Sequence, residues 1–177
     1  ACLVGSEMCI RDSTPGSPPT RQIFTFSART GTFARGASQT GTYSQTGTST
    51  VTVTRAAHGF IAGDLVYLDF TSGTAADTWF TIVSAATDTF TIARTPATTS
   101  GNVTIFPPVV VTANNHGLSN SANVIVNYSS TFSNGFQTIA QATTNAFQTQ
   151  GGVTTGGTNT TGTVTLPRVS TIQTWTR

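Results

Sequence analysis

Val51-Thr-Val-Thr-Arg-Ala-Ala-His58-Gly59-Phe60 and Val109-Val-Val-Thr-Ala-Asn-Asn-His116-Gly117-Leu118 are the same phrase written twice, and the chain's two histidines fall in register 58 residues apart. Working outward, Leu65-Val-Tyr-Leu-Asp-Phe70 stands opposite Asn123-Val-Ile-Val-Asn-Tyr128 at the same offset. Phe80 is matched to Phe136 after a two-residue deletion, Phe90 to Phe147, and Ser100-Gly-Asn-Val-Thr-Ile105 to Thr161-Gly-Thr-Val-Thr-Leu166. A period of about 60 residues marks tandem copies of one small folding unit.

The alternation inside the copies says what that unit is made of. Val66, Leu68 and Phe70 form one apolar set, and the set between them contains Asp69. Period-two alternation is the signature of a half-buried strand, since successive side chains point to opposite faces. The second copy keeps the face as Val124, Val126 and Tyr128, with Asn123 and Asn127 opposite. Further strands are expected at 51–54, 80–84, 89–93 and 103–106, with counterparts at 109–112, 136–140, 146–149 and 163–166. Gly- and Asn-rich turns separate them at the spacing of a small barrel or sandwich. The expected fold is all-β: two tandem small β-barrel or sandwich modules of about 55–60 residues, at 51–106 and 107–166, hinged at Pro107-Pro108. Residues 14–22, with three prolines, read as a linker. Residues 23–50 carry an echo of their own, Thr30-Gly-Thr-Phe33 and Thr40-Gly-Thr-Tyr43. They are read as one or two strands that complete the first unit or finish a preceding one, and 167–177 as a truncated continuation.

Composition agrees with a β reading. Threonine is roughly one residue in five, far above ordinary usage, there is no lysine, and only 8% of residues are charged. β-Branched side chains fit a pleated surface and lose rotamer freedom in helices. A disordered Ser/Thr-rich stalk would share the low charge, but eleven Phe, two Trp and the alternating aliphatic positions supply apolar surface for small cores. The formal net charge is +2. Arg21, Arg29, Arg35, Arg55, Arg94, Arg168 and Arg177 are dispersed, whereas nucleic-acid binding wants them clustered on one face; no nucleic-acid partner is expected. No apolar run approaches the ~18 residues of a transmembrane helix, so no membrane insertion is expected either.

Residues 1–13 differ from the rest. Both cysteines, the only methionine and the only glutamate lie there. Cys2-Leu-Val-Gly-Ser-Glu-Met-Cys-Ile-Arg-Asp12 resembles the conceptual translation of a transposase adapter used in sequencing libraries. A secretory signal needs a basic start and an uninterrupted apolar run, and Glu7 and Arg11 break any such run. The expectation is a disordered, adapter-derived leader on an internal fragment of a longer reading frame. With the leader set aside, seven arginines against four aspartates leave +3 and no cysteine, which excludes thiolate metal sites and disulfides.

The visible polar residues are expected to serve structure. Each His-Gly pair can be a ligand or base, or it can close a turn, the glycine supplying a positive φ. The turn reading is preferred because the acids are not copied: Asp64 becomes Ala122, Asp69 becomes Asn127, and Asp77 has no acidic counterpart. Asp64, Asp69, Asp77 and Asp88 lack the loop spacing of a calcium site and suit turns, where aspartate bonds its own backbone. No Gly-x-Ser-x-Gly elbow occurs. Asn102-Val-Thr, Asn127-Tyr-Ser and Asn159-Thr-Thr match the glycosylation pattern by chance. Trp79, Trp175 and Tyr67 are read as packing residues rather than glycan platforms. No catalytic, cofactor or metal residue is assigned.

Ala57-His-Gly-Phe-Ile-Ala-Gly-Asp-Leu-Val66, with Phe80 and Asp88-Thr-Phe-Thr-Ile92, resembles the β-domain called the first catalytic cysteine half-domain of ubiquitin-activating enzymes. Modules with this signature also occur in tandem in tail and other virion proteins of tailed bacteriophages. The likeness covers about 40 residues of the first unit and weakens in the second, where Gly63-Asp64 is Ser121-Ala122. It implies a non-enzymatic structural segment of a phage virion, in a tail, fibre or baseplate-associated protein. Other virion subunits, a homo-oligomer and a host-surface glycan are the implied partners. The alternatives are a repeat of a bacterial surface or secreted adhesin, placed at the cell surface, and an accessory glycan-binding module of an enzyme.

Overall fold

In a computed structural model of the 177-residue chain, residues 28–129, 132, 134–151 and 161–166 are described in full, and 2–4, 7–11, 21–27, 160 and 167–175 by backbone alone. The described residues form strands and turns without a helix. In chain order the strands are β1 (Cys2–Val4), β2 (Glu7–Arg11), β3 (Arg21–Arg35), β4 (Gln39–Thr46), β5 (Thr50–Thr54), β6 (Leu65–Asp69) and β7 (Thr78–Ala85). There follow β8 (Thr89–Ala93), β9 (Thr98–Phe106), β10 (Val109–Thr112), β11 (Asn123–Tyr128), β12 (Gly135–Thr138), β13 (Ala146–Thr149) and β14 (Thr160–Trp175).

β4–β9 close into a barrel in the order β4-β5-β8-β7-β6-β9. β3 and β10–β14 repeat that order as β3-β10-β13-β12-β11-β14; the ladder between β12 and β13 is reduced to the bridge Ala140↔Gln148. The all-β, two-barrel fold is thus what the alternation led one to expect. The connectivity holds a surprise. β3 precedes the first barrel in sequence but pairs with β10 and β14 of the second. The first barrel is therefore inserted between the first and second strands of its host, and the chain crosses between barrels twice, at residues 36–38 and 107–108.

This divides the lead-in segment. β4 completes the inserted barrel, as one expectation allowed. β3 starts the host barrel, which neither expectation foresaw. The short echo is the pair of first strands: Thr32 faces Thr112 as Thr42 faces Thr54, and Thr32 faces Thr163 as Thr42 faces Asn102. Gly31 and Gly41 mark the same close approach. A Cβ on Gly31 would lie 2.3 Å from the Thr112 carbonyl oxygen, and one on Gly41 2.5 Å from that of Thr54.

The cores match position for position. Tyr43, Val51, Val53, Val66, Leu68 and Phe90 of the inserted barrel are buried, as are Phe33, Val109, Val111, Val124, Val126 and Phe147 of the host. One matched pair changes chemistry together. Phe70 and Ile92 become Tyr128 and Thr149, whose hydroxyls bond each other in the interior, so neither new polar group is orphaned. Burial raises the Tyr128 phenol above its ordinary value, opposed by the Thr149 hydrogen bond.

One further expectation is corrected. Phe136 matches Trp79, because Tyr67 faces Trp79 where Ile125 faces Phe136. Phe80 matches Gln137 by the same registers. A one-residue shift turns a side chain to the other face, so Phe80 packs on its core while Phe136 is 78% exposed. The leader expected to be disordered is described only in part; there, β2 pairs with residues 21–25 of β3 and β1 pairs with β2. Of the proposed linker, residues 21 and 22 already belong to β3, and of the truncated continuation 167–175 extends β14.

Candidate functional site

The His-Gly loops are the natural place to look for chemistry, because the repeat preserves them. Each barrel has a shallow recess between this loop and the next hairpin. It is lined by Ala57, His58, Phe60 and Thr87 in the inserted barrel and by Asn115, Gly117, Leu118 and Thr144 in the host.

Local backbone explains the loop. The residues flanking each histidine have positive φ: Ala57 at 50° and Gly59 at 75°, Asn115 at 49° and Gly117 at 70°. Glycine adopts that region freely, and asparagine better than alanine. The reversal brings the Phe60 N–H to His58 Nδ1 at 3.0 Å and the Leu118 N–H to His116 Nδ1 at 3.0 Å. With Nδ1 accepting, the ring proton sits on Nε2. His116 directs it at the Ala146 carbonyl, 3.3 Å away; His58 Nε2 finds no partner among the described residues. Both rings are buried, at 4% and 1% exposure, edge-on to Phe90 and Phe147. The geometry is that of a turn closed by an imidazole.

The aspartates are engaged in the same way, and the second copy shows how. Asp88 Oδ1 accepts from the Ala57 N–H at 3.0 Å, and Asn145 Oδ1 accepts from the Asn115 N–H at 2.9 Å. Asp77 Oδ1 accepts from the Phe70 N–H at 2.8 Å, and Asn134 Oδ1 from the Tyr128 N–H at 2.6 Å. These positions need an oxygen, not a charge. Asp64 Oδ2 accepts from the Ile61 N–H at 2.8 Å, a bond that Ala122 cannot make.

Asp64 does something more, which sequence reasoning missed. Its Oδ1 receives the Gln148 side-chain amide at 2.7 Å and lies 3.4 Å from that of Gln141, both on the host barrel. Gln148 Oε1 in turn accepts from the Leu65 N–H at 3.0 Å, and Gln141 donates to the Ala62 carbonyl at 3.0 Å. The residue in the inserted barrel that matches Gln148 is Thr91, whose hydroxyl simply bonds that of its strand partner Ser84 at 2.7 Å. Across the joint, Arg35 Nε donates to the Pro107 carbonyl at 3.0 Å. The guanidinium lies 5.5 Å from the Phe106 ring centre and 5.7 Å from that of Phe132; its burial lowers the Arg35 pKa. The specialised polar residues therefore cluster between the barrels.

Tyr67 and Trp79 meet edge to face at 5.7 Å, with Phe106 beside Tyr67. Desolvation, then the charges of Asp77 and Asp69, push the Tyr67 phenol up. Trp175 has no described side chain. Among the described residues no group of three His, Cys, Asp or Glu side chains could hold a metal ion, and no helix is long and apolar enough to cross a membrane. No family model, curated protein or solved structure matches the chain.

Proposed function

We propose that this chain is a non-enzymatic structural segment of a bacteriophage virion protein, a tail, fibre or baseplate-associated array of β-modules. The observation that carries the reading is the use made of the polar residues. The two histidines, Asp77 and Asp88 close loops in a manner the second barrel repeats, and Asp64 ties one barrel to the next. A doubly crossed, hydrogen-bonded joint suits a part that must hold its modules in fixed sequence. The likeness of the His-Gly-x-x-x-Gly-Asp-x-Val stretch to tandem modules of phage tails supplies the context. The decisive experiment is mass spectrometry of purified particles and of cell-envelope fractions from one sample, with the neighbouring genes read from the complete frame. Peptides from residues 28–166 should follow the particles, beside portal, terminase or tape-measure genes. Recovery in the envelope, with a secretion signal upstream, would select the adhesin instead. The glycan-binding alternative draws on Tyr67, Trp79 and Trp175; the edge-to-face packing of Tyr67 on Trp79 already engages two of these rings, and the Trp175 side chain lies outside the described residues.

A further inference from the structure

We propose that the face of the host barrel formed by residues 118–122 is a seat for a third barrel of the same fold, whose first and second strands are residues 21–27 and 169–175. The inference rests on the modular reading above and extends it to what the host barrel carries.

The first joint provides the pattern. The β4–β9 ladder ends at Gln39↔Ile105, skips residues 36–38 and 106–108, and resumes as the β3–β10 ladder at Arg35↔Val109. One strand pair thus leaves the inserted barrel and enters the host without changing sides. The β3–β14 ladder behaves alike at the host's other end. It runs to Arg29↔Leu166, breaks register, and resumes at Ser27↔Val169 through Arg21↔Trp175. The break contains Pro167, as the first joint contains Pro107 and Pro108. In this alignment residues 21–27 stand where β3 stands at the first joint and 169–175 where β10 stands, while β2 holds at residues 21–25 the edge that β14 takes beside Arg35 and that the last strand of the third barrel would take in its place.

A second observation comes from the loops at that end. Gln39, beside the first joint, donates to the His58 carbonyl at 3.2 Å. Its counterpart Arg29 donates to the carbonyls of Asn114 and Asn115. The His-Gly loop of the host therefore lies beside the outgoing ladder, as that of the inserted barrel lies beside the first joint. There the following residues, Asp64 and Leu65, are buried and bonded to the host. Of their counterparts Ala122 is half-buried and Asn123 exposed, and Ser119, Asn120 and Ser121 are exposed as well. This face has the position of a docking face, with the hydroxyls of Ser119 and Ser121 and the amide nitrogen of Asn120 to offer, the Asn120 oxygen being taken by the Ala142 N–H, and its occupant by continuity with the first joint is another barrel.

Two measurements test this. Amide hydrogen exchange on the 177-residue chain should show Phe24, Phe26, Ser170 and Ile172 exchanging roughly 100-fold or more slowly than unstructured chain, with protection in both strands lost together in Ile172→Pro. Random-coil exchange in either strand overturns the proposal. The second uses a chain extended after Trp175 by another copy of residues 113–166, carrying Asn120→Cys with Cys2→Ser and Cys9→Ser. Alkylation at position 120 should be about tenfold slower than in the unextended variant. Equal rates, with the added copy showing its own protected amides, overturn the docking. Should the added copy fail to fold, the exchange result decides alone. Neither outcome depends on a virion origin, which particle mass spectrometry settles separately.

Discussion

At Asp77 and Asp88 a carboxylate does the work that an amide does at Asn134 and Asn145. Asp77→Asn and Asp88→Asn should accordingly change stability by less than about 0.5 kcal/mol. The alanine variants should lose about 1–2 kcal/mol, since a loop N–H is left without its acceptor. Chemical denaturation separates the two cases, and a large loss in the asparagine variants would mean that the charge matters. The histidines follow the same logic. His58→Ala and His116→Ala should each cost on the order of 1 kcal/mol for the lost hydrogen bond, more at 116, where both ring nitrogens are bonded. Calorimetric titration with zinc or calcium should show no stoichiometric micromolar site that these variants abolish. Tyr128 brings a pH dependence. Its folded pKa is raised, so its contribution is fully present below the unfolded value near 10 and is lost as pH rises from there through the folded pKa. Melting temperature should fall in that alkaline window, and less so in a Tyr128→Phe, Thr149→Ile double variant that restores the apolar pair of the inserted barrel. That double variant should also cost less than the sum of its singles, because each single leaves a buried hydroxyl unpaired.

Among the strands, the sequence revealed faces better than partners. Alternation in 65–70 and 123–128 identified the buried sets because two copies agreed, and the burial of Val66, Leu68, Val124 and Val126 follows that pattern. Which strand pairs with which is not a local property, so β3 could not be assigned to the host from Thr30-Gly-Thr-Phe33 alone. The mismatch of Phe80 with Phe136 has a related cause: an identical residue one place away outweighed a register set by backbone pairing. The loop-closing role of the histidines was legible from the glycine that follows and the acids that were not copied. The Asp64 clamp was not, because its partners lie 77 and 84 residues away. Gly31 and Gly41 supply a test at this scale. Alanine at either should destabilise its own barrel by about 1–3 kcal/mol through overpacking against a carbonyl. Equal losses at both sites are expected from their equivalence, and a neutral Gly31→Ala would argue against β3 pairing with β10.

For the whole molecule, the two barrels should unfold as one unit while the joint holds. Asp64→Ala removes the acceptor of Gln148 and leaves the Ile61 N–H unanswered, so the coupling should weaken by about 1–3 kcal/mol. Calorimetry should then resolve two transitions where the native chain shows one, and an unchanged single transition would place the coupling in Arg35 and the two crossings alone. The insertion also dictates an order of events. During synthesis β3 is made before β10 and β14, its partners within the host barrel, and Arg35 must await Val109. At about 5–20 residues per second that wait lasts several seconds, time enough for β4–β9, a contiguous segment, to close in milliseconds to seconds. Its closure brings residues 36 and 108 together and so removes most of the loop entropy that separates β3 from β10. The barrel that begins first is the last to be finished, and the one lodged within it acts as its folding template.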